Sequence, residues 1–174
     1  MFRMLVAVFA LASGPAIADL QSCQRLFAAT PQILSDLNKG ESKNFEDDYP
    51  GLGYSVSFVD TATKLTVFFY DYQQKTISPE MGLEHFRQSA QDMRTVTERR
   101  GSELGEIKAY QVNEQSQLFR LRAEAETLDG ASELLALGVV DNCIVKVRFT
   151  ARFSMDKAKI WMIVVLEMLN ENFG

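Results

Sequence analysis

The chain has 174 residues, 47% of them apolar and 24% charged, with a formal charge of −5. That is globular composition, and it excludes disordered, collagen-like and fibrous chains. One histidine, two cysteines and no glycine-rich phosphate loop remove most common catalytic and metal constellations, and the acidic balance repels a phosphate backbone, so no nucleic-acid partner is expected.

Residues 1–18 read as a signal peptide. Arg3 supplies the positive start, Leu5 to Ala12 an apolar run of eight, and Ala16-Ile17-Ala18 the small-x-small cleavage site. The run is far shorter than the roughly 20 residues that span a bilayer. Cleavage is expected after Ala18, in the style of a bacterial periplasm, so the protein is predicted to be periplasmic or secreted. Cys23 follows Asp19 and lies eleven residues past the apolar core, which argues against a lipid anchor. No later stretch is a transmembrane candidate, since the most apolar, Ile160 to Leu166, is bounded by Lys159 and Glu167. Loss of Arg3 leaves 17 basic residues against 23 acidic, a mature charge of −6.

An exported chain with two cysteines is expected to join them, because the compartment oxidises thiols. Cys23 and Cys143 allow one intramolecular connectivity, closing 120 residues of chain. In the chain-entropy account such a bridge contributes roughly 4–5 kcal/mol. The alternative is a reactive thiol, Cys143 beside His85. No C-x-x-C is present, and Cys143 opens an apolar strand, which favours burial over reactivity.

Residues 19–52 read as an N-terminal helical arm and loop. Leu20, Cys23 and Phe27, then Ile33, Leu34 and Leu37, lie near helical spacing, with Pro31 dividing two short helices. Asn38 to Gly53 is polar and reads as a loop; its Glu46-Asp47-Asp48 lacks the alternating oxygen ligands and tight glycine turn of a calcium loop.

Residues 53–174 read as a single α+β domain. Tyr54 to Phe58 alternates as a half-buried strand, and Leu65 to Tyr72 is apolar on both faces, hence central. Ser78-Pro79-Glu80 starts a helix whose stripe is Leu83, Phe86, Ala90 and Met93, ending near Arg99-Arg100-Gly101. A short strand runs from Ile107 to Val112. Leu118 to Thr127 follows, with Phe119, Leu121, Ala123 and Ala125 inward and Arg120, Arg122, Glu124 and Glu126 outward. Ser132 to Val140 is apolar. Cys143 to Phe153 places Cys143, Val145, Val147, Phe149, Ala151 and Phe153 inward, and Lys146, Arg148, Thr150 and Arg152 outward. Ser154 caps a last helix with a broad stripe of Ala158, Trp161, Met162, Val165, Leu166, Met168 and Leu169. The prediction is an antiparallel sheet of about six strands in the order β-β-α-β-β-β-β-α, with the disulfide fastening the arm to the core at the start of the last strand.

No catalytic or metal motif is present, and no cofactor is implied. His85, opposite the apolar stripe of its helix, is expected to face solvent. The methionines read as core filler. One feature stands out: Arg120, Arg122, Lys146, Arg148 and Arg152 lie on the outer faces of two strands. If those strands are neighbours, the face is either a solvated surface with cross-strand ion pairs or a docking surface for an anionic ligand or acidic partner.

Gly53-Tyr54-Ser55-Val56 with Phe58, the strand Val67-Phe68-Phe69-Tyr70-Asp71-Tyr72 and the element order resemble the PsbP-like fold superfamily over about Gly53 to Leu169. That superfamily includes the extrinsic P subunit of photosystem II, a Ran-binding nuclear import factor and small exported bacterial proteins. Its members are mostly accessory or binding proteins, and the resemblance brings no catalytic residues. Its sheet is covered on both faces, whereas two strands here carry a charged outer face. The resemblance implies a PsbP-like sandwich and a non-catalytic accessory or binding protein, recognising a protein or envelope component through the charged face or the Tyr70 and Tyr72 region. The alternatives are a hydrolase built from carboxylates, or a carrier with an apolar pocket lined by Phe68, Phe86 and Trp161. Thiol titration of denatured, unreduced protein should find no free thiol; two per chain would refute the bridge.

Overall fold

The computed structural model describes residues 20–112 and 118–173; the expected signal peptide and its expected cleavage after Ala18 lie outside them. Helix α1 (Leu20–Ala29) stops just before the residue preceding Pro31, where the ring disfavours helical backbone. The chain then reverses through Ser35, at φ 56°, so that β1 (Ile33–Leu34) pairs back on β2 (Leu37–Asn44). A loop returns β2 antiparallel to β3 (Tyr54–Val59). In that loop the Glu46 carboxylate accepts the backbone N–H groups of Gly51 and Gly53. Gly53 has φ +68°, and a Cβ there would collide with the Phe69 carbonyl oxygen, so only glycine fits the approach to the next strand.

Asp60 turns β3 into β4 (Thr63–Tyr70) by accepting from the N–H groups of Ala62 and Thr63, both at 2.7 Å. Helix α2 (Pro79–Arg99) begins where the sequence predicts: the Ser78 hydroxyl caps the Met81 N–H and Pro79 opens the first turn. Strands β5 (Lys108–Gln111), β6 (Leu121–Glu126), β7 (Ser132–Val140) and β8 (Cys143–Ala151) follow, then α3 (Met155–Phe173). Asp141 and Asn142, both at positive φ, form the two-residue turn that matches the twist of the β7–β8 hairpin.

The strands form one antiparallel sheet in the order β1-β2-β3-β4-β8-β7-β6-β5. Two meanders, β1–β4 and β5–β8, meet where β4 pairs with β8, from Thr63 opposite Ala151 to Tyr70 opposite Ile144. Side chains alternate across each strand, so this seam supplies two cores. On one face Leu65, Val67, Phe69, Val145, Val147 and Phe149 pack against α1 and against Ala158, Met162, Val165 and Leu169 of α3. On the other, Ile144, Leu135, Leu137, Ala123 and Ala125 pack against Phe86 and Met93 of α2. The expected α+β class with an antiparallel sheet holds, and β4 is central with both faces covered.

Two expectations need correction. The sheet has eight strands among the described residues, not about six. The additional pair, β1 and β2, comes from the stretch read as a second helix and a polar loop. Leu37-Asn38-Lys39-Gly40-Glu41-Ser42-Lys43-Asn44 is almost wholly exposed, so it carries no apolar alternation; backbone pairing to β3, which is blind to side chains, makes it a strand.

Cys23 and Cys143 are joined, and both are buried in the core beneath α1. Arg25 and Asp141 add an ion pair at the same contact, both exposed. α1 is therefore tied to the first residue of β8, the position expected for the bridge. Replacing both cysteines by serine should lower the urea-unfolding free energy by about 2–5 kcal/mol, with α1 the first segment to lose amide-exchange protection. An unchanged midpoint would show that packing alone holds the helix.

Candidate functional site

At the seam, Phe68 lies opposite Lys146 and Thr66 opposite Arg148, and on the other side of β8, Leu137 and Leu135 lie opposite the same two cations. Lys146 and Arg148 therefore point toward α2. The helix presents Ser89, Asp92, Thr95, Val96 and Arg99 to them, and together these residues line a groove of about 320 Å³. The Lys146 ammonium lies 4.7 Å from the Phe68 ring centre and 5.5 Å from that of Tyr70. A cation over a ring face gains electrostatically from the quadrupole, which offsets part of the cost of its burial. Burial pulls the Lys146 pKa below its usual value, Arg148 pulls it further down, and Asp92 opposes both. Among the described residues Lys146 makes no ion pair.

Arg148 is anchored from behind. Glu133, on β7, is buried to 2% exposure; it accepts from the Arg148 guanidinium at 3.3 Å and from the Thr150 hydroxyl at 3.0 Å, with Arg100 at 3.9 Å. A carboxylate so buried would be strongly destabilising alone, and these partners are what make it tolerable.

Beyond Lys146 the sheet ends in an aromatic corner. Tyr70 meets Tyr72 edge-on at 4.9 Å, and Tyr72 stacks on His85 at 4.8 Å. Tyr72 and Gln73 both hold positive φ, an uncommon pair for non-glycine residues, kept in place by the Asp71 carboxylate accepting from the Gln73 N–H. Burial, then Tyr72, pushes the Tyr70 phenol far above its usual range, against the opposing hydrogen bond from Ser89. Burial also lowers the His85 pKa below 6.5, reinforced by Lys146 and opposed by Glu84.

Of the residues singled out from sequence, the structure thus gathers Tyr70, Tyr72, Lys146 and Arg148 along α2 between His85 and Arg99. It does not add the other three cations. Arg122 stands opposite Ala136, itself opposite Val147, and so faces α3 on the reverse side of the sheet, beside Lys159 and Met162. Arg120 lies exposed before β6, and Arg152 exposed beyond β8. The single basic face is overturned for two reasons. β7 separates β6 from β8, and the inward residues of β6 and β8 belong to different cores, so their outward residues point in opposite directions. His85 is also corrected: it is half-buried under Tyr72, because the loop after β4 folds back over α2 and gives the helix a second contact face. The carrier pocket lined by Phe68, Phe86 and Trp161 is not formed, since Trp161 packs on the opposite side of the sheet from the other two.

Ser89, Asp92, Arg99 and Glu133 were not anticipated. The available signal was Ser89, a hydroxyl within one turn of Phe86 and Met93 on the buried side of α2. No set of three or more His, Cys, Asp or Glu side chains among the described residues is placed to hold a metal ion.

No family model matches the chain, and no curated protein matches it. Among solved structures, the solution structure of PsbP from the cyanobacterium Synechocystis sp. PCC 6803 is similar at 16% identity and a TM-score of 0.40, covering 76% of this chain and 77% of that one. This is a weak fold-level resemblance to the PsbP-like fold.

Because His85 binds protons less readily folded than unfolded, the unfolded chain holds more protons between the folded pKa and 6.5. That contribution to stability is complete above about pH 6.5 and is lost as pH falls through the folded value. Urea midpoints measured from pH 7.5 to 5 should show this loss, and His85→Gln should flatten it. Identical pH slopes for both proteins would mean the stacking does not hold His85 neutral.

Proposed function

We propose that this chain is an exported, non-catalytic accessory or binding protein that docks an acidic group of a protein or envelope component in the groove between α2 and the β4–β8 seam. The observation that carries the reading is Lys146: a cation with no ion pair among the described residues, held on the Phe68 and Tyr70 rings at the wall of an open groove. Arg148 is already balanced by Glu133, and among the described residues Lys146 and Arg99 face Asp92 as the only carboxylate lining the groove. An incoming carboxylate would complete the charge of Lys146 and meet the Thr95 hydroxyl.

Export is supported by the leader-like first 18 residues and by the Cys23–Cys143 bridge, which an oxidising compartment preserves. No described helix is long and apolar enough to cross a membrane. A non-catalytic role is supported by how the reactive groups are occupied. His85 is stacked on Tyr72, the Ser89 hydroxyl bonds Tyr70, and the buried Glu133 is matched with Arg148. Where carboxylates do line one groove, at Glu106, Glu124 and Glu126, Glu124 is paired with Lys159 at 2.8 Å.

A glutamate-rich octapeptide titrated by calorimetry and by NMR tests this. Binding should perturb Phe68, Ser89 and Lys146 resonances and weaken about tenfold from low to physiological salt. Arg99→Glu combined with Lys146→Gln should abolish it. Equal binding of the glutamine analogue would refute the reading.

A further inference from the structure

A second groove lies at the other end of α2, apart from the basic one. Its walls are Ile77, Leu83, Leu118, Leu121, Leu137 and Val139, between the first turns of the helix and the β6–β7 ladder, and its volume is about 440 Å³. The Gly82 and Gly138 positions add no side chain to it. Gly138 cannot be otherwise, since a Cβ would collide with the Leu118 carbonyl oxygen. At Gly82 a Cβ would press on Val139 at 3.2 Å.

The groove is apolar along its length and polar at its rim. Arg120 is exposed there and makes no ion pair among the described residues. The carboxylate at the rim, Glu80, is fully exposed and is bonded by the Ser78 hydroxyl at the start of α2. An apolar cleft of this size with a cation that makes no ion pair among the described residues has the character of a small-molecule site whose polar group fixes orientation. At about 30 Å³ per water-sized group, the volume holds about fifteen such groups, which fits a single chain of roughly ten to twelve carbons with one charged end.

We propose that this groove binds a monomeric amphipathic carboxylate of the medium-chain fatty-acid class, its hydrocarbon against Leu83, Leu121 and Val139 and its carboxylate on Arg120. The two ends act separately. Hydrocarbon burial supplies affinity and is indifferent to the headgroup, whereas a guanidinium–carboxylate bond discriminates between an acid and a neutral chain of the same length.

Laurate and dodecanol, each below its aggregation limit, should be titrated into the wild-type protein and into Arg120→Ala while the methyl resonances of Leu83, Leu121 and Val139 are followed. Arg120 is exposed, so the variant should keep the fold, which circular dichroism checks. The expected result is perturbation of these methyls by both ligands, with laurate binding about tenfold weaker in the variant and dodecanol unchanged. Silent methyls would overturn the site. Laurate weakened no more than dodecanol would overturn the role of Arg120. A response to phosphatidylglycerol vesicles without one to monomeric laurate would show a membrane contact in place of the proposed ligand. The acidic-peptide titration reads Phe68, Ser89 and Lys146, so either site can fail without the other.

Discussion

The pairing of β4 with β8 is the contact on which the rest of the molecule depends. It joins two meanders that are otherwise connected by α2, through eight consecutive opposed residue pairs. Each meander alone would present two greasy strand faces to water. Joined, they form a continuous sheet with Leu65, Val67, Phe69, Val145, Val147 and Phe149 on one side, and Ile144 with Leu135 and Leu137 on the other. The contact closes a long loop containing a helix and three strands, so its entropic cost must be met by dense burial. That density is visible in six side chains of the first face at 0% exposure.

The same register creates the basic groove. Phe68 and Lys146 are directly opposed, so the ring nearest the ammonium is its cross-strand neighbour, and the cation–π contact follows from the pairing. Arg148, two residues on, points the same way and meets Glu133 through the β7–β8 ladder, where Glu133 lies opposite Thr150. Three charged groups are thus held near an apolar core by one alignment. A slip of one residue would turn all of them into the face occupied by α1 and α3.

α1 stands somewhat outside this scheme. It packs on β3, β4 and α3 through Leu26 and Phe27, with Phe27 stacked on Tyr54 at 5.0 Å and meeting Phe69 edge-on. A helix of ten residues is marginal by itself, and the covalent tie to Cys143 with the Arg25–Asp141 pair holds it on the sheet. Covering Tyr54, Phe69 and Cys143 in this way closes the core at the end of the sheet opposite the β3–β4 turn.

Local rules were sufficient wherever the cause is local. The start of α2 at Ser78-Pro79, the turn at Asp141-Asn142, the burial on both faces of β4 and the inward set of β8 each follow from capping, turn chemistry or period-two burial. The partner of Cys23 also followed, because two cysteines leave one intramolecular choice. What only the tertiary structure decided is strand order and, through it, which side of the sheet each alternating strand faces. Period two separates two faces of a strand but does not say which neighbouring core each face meets. Arg122 and Arg148 therefore look alike in sequence and stand on opposite sides of the sheet. β2 was hidden because backbone hydrogen bonds hold it and its side chains are polar. His85 was misplaced because a loop, not the sheet, covers its side of α2. The two grooves exist only once α2 has been laid across strands distant in the chain, and no stretch of sequence contains either of them.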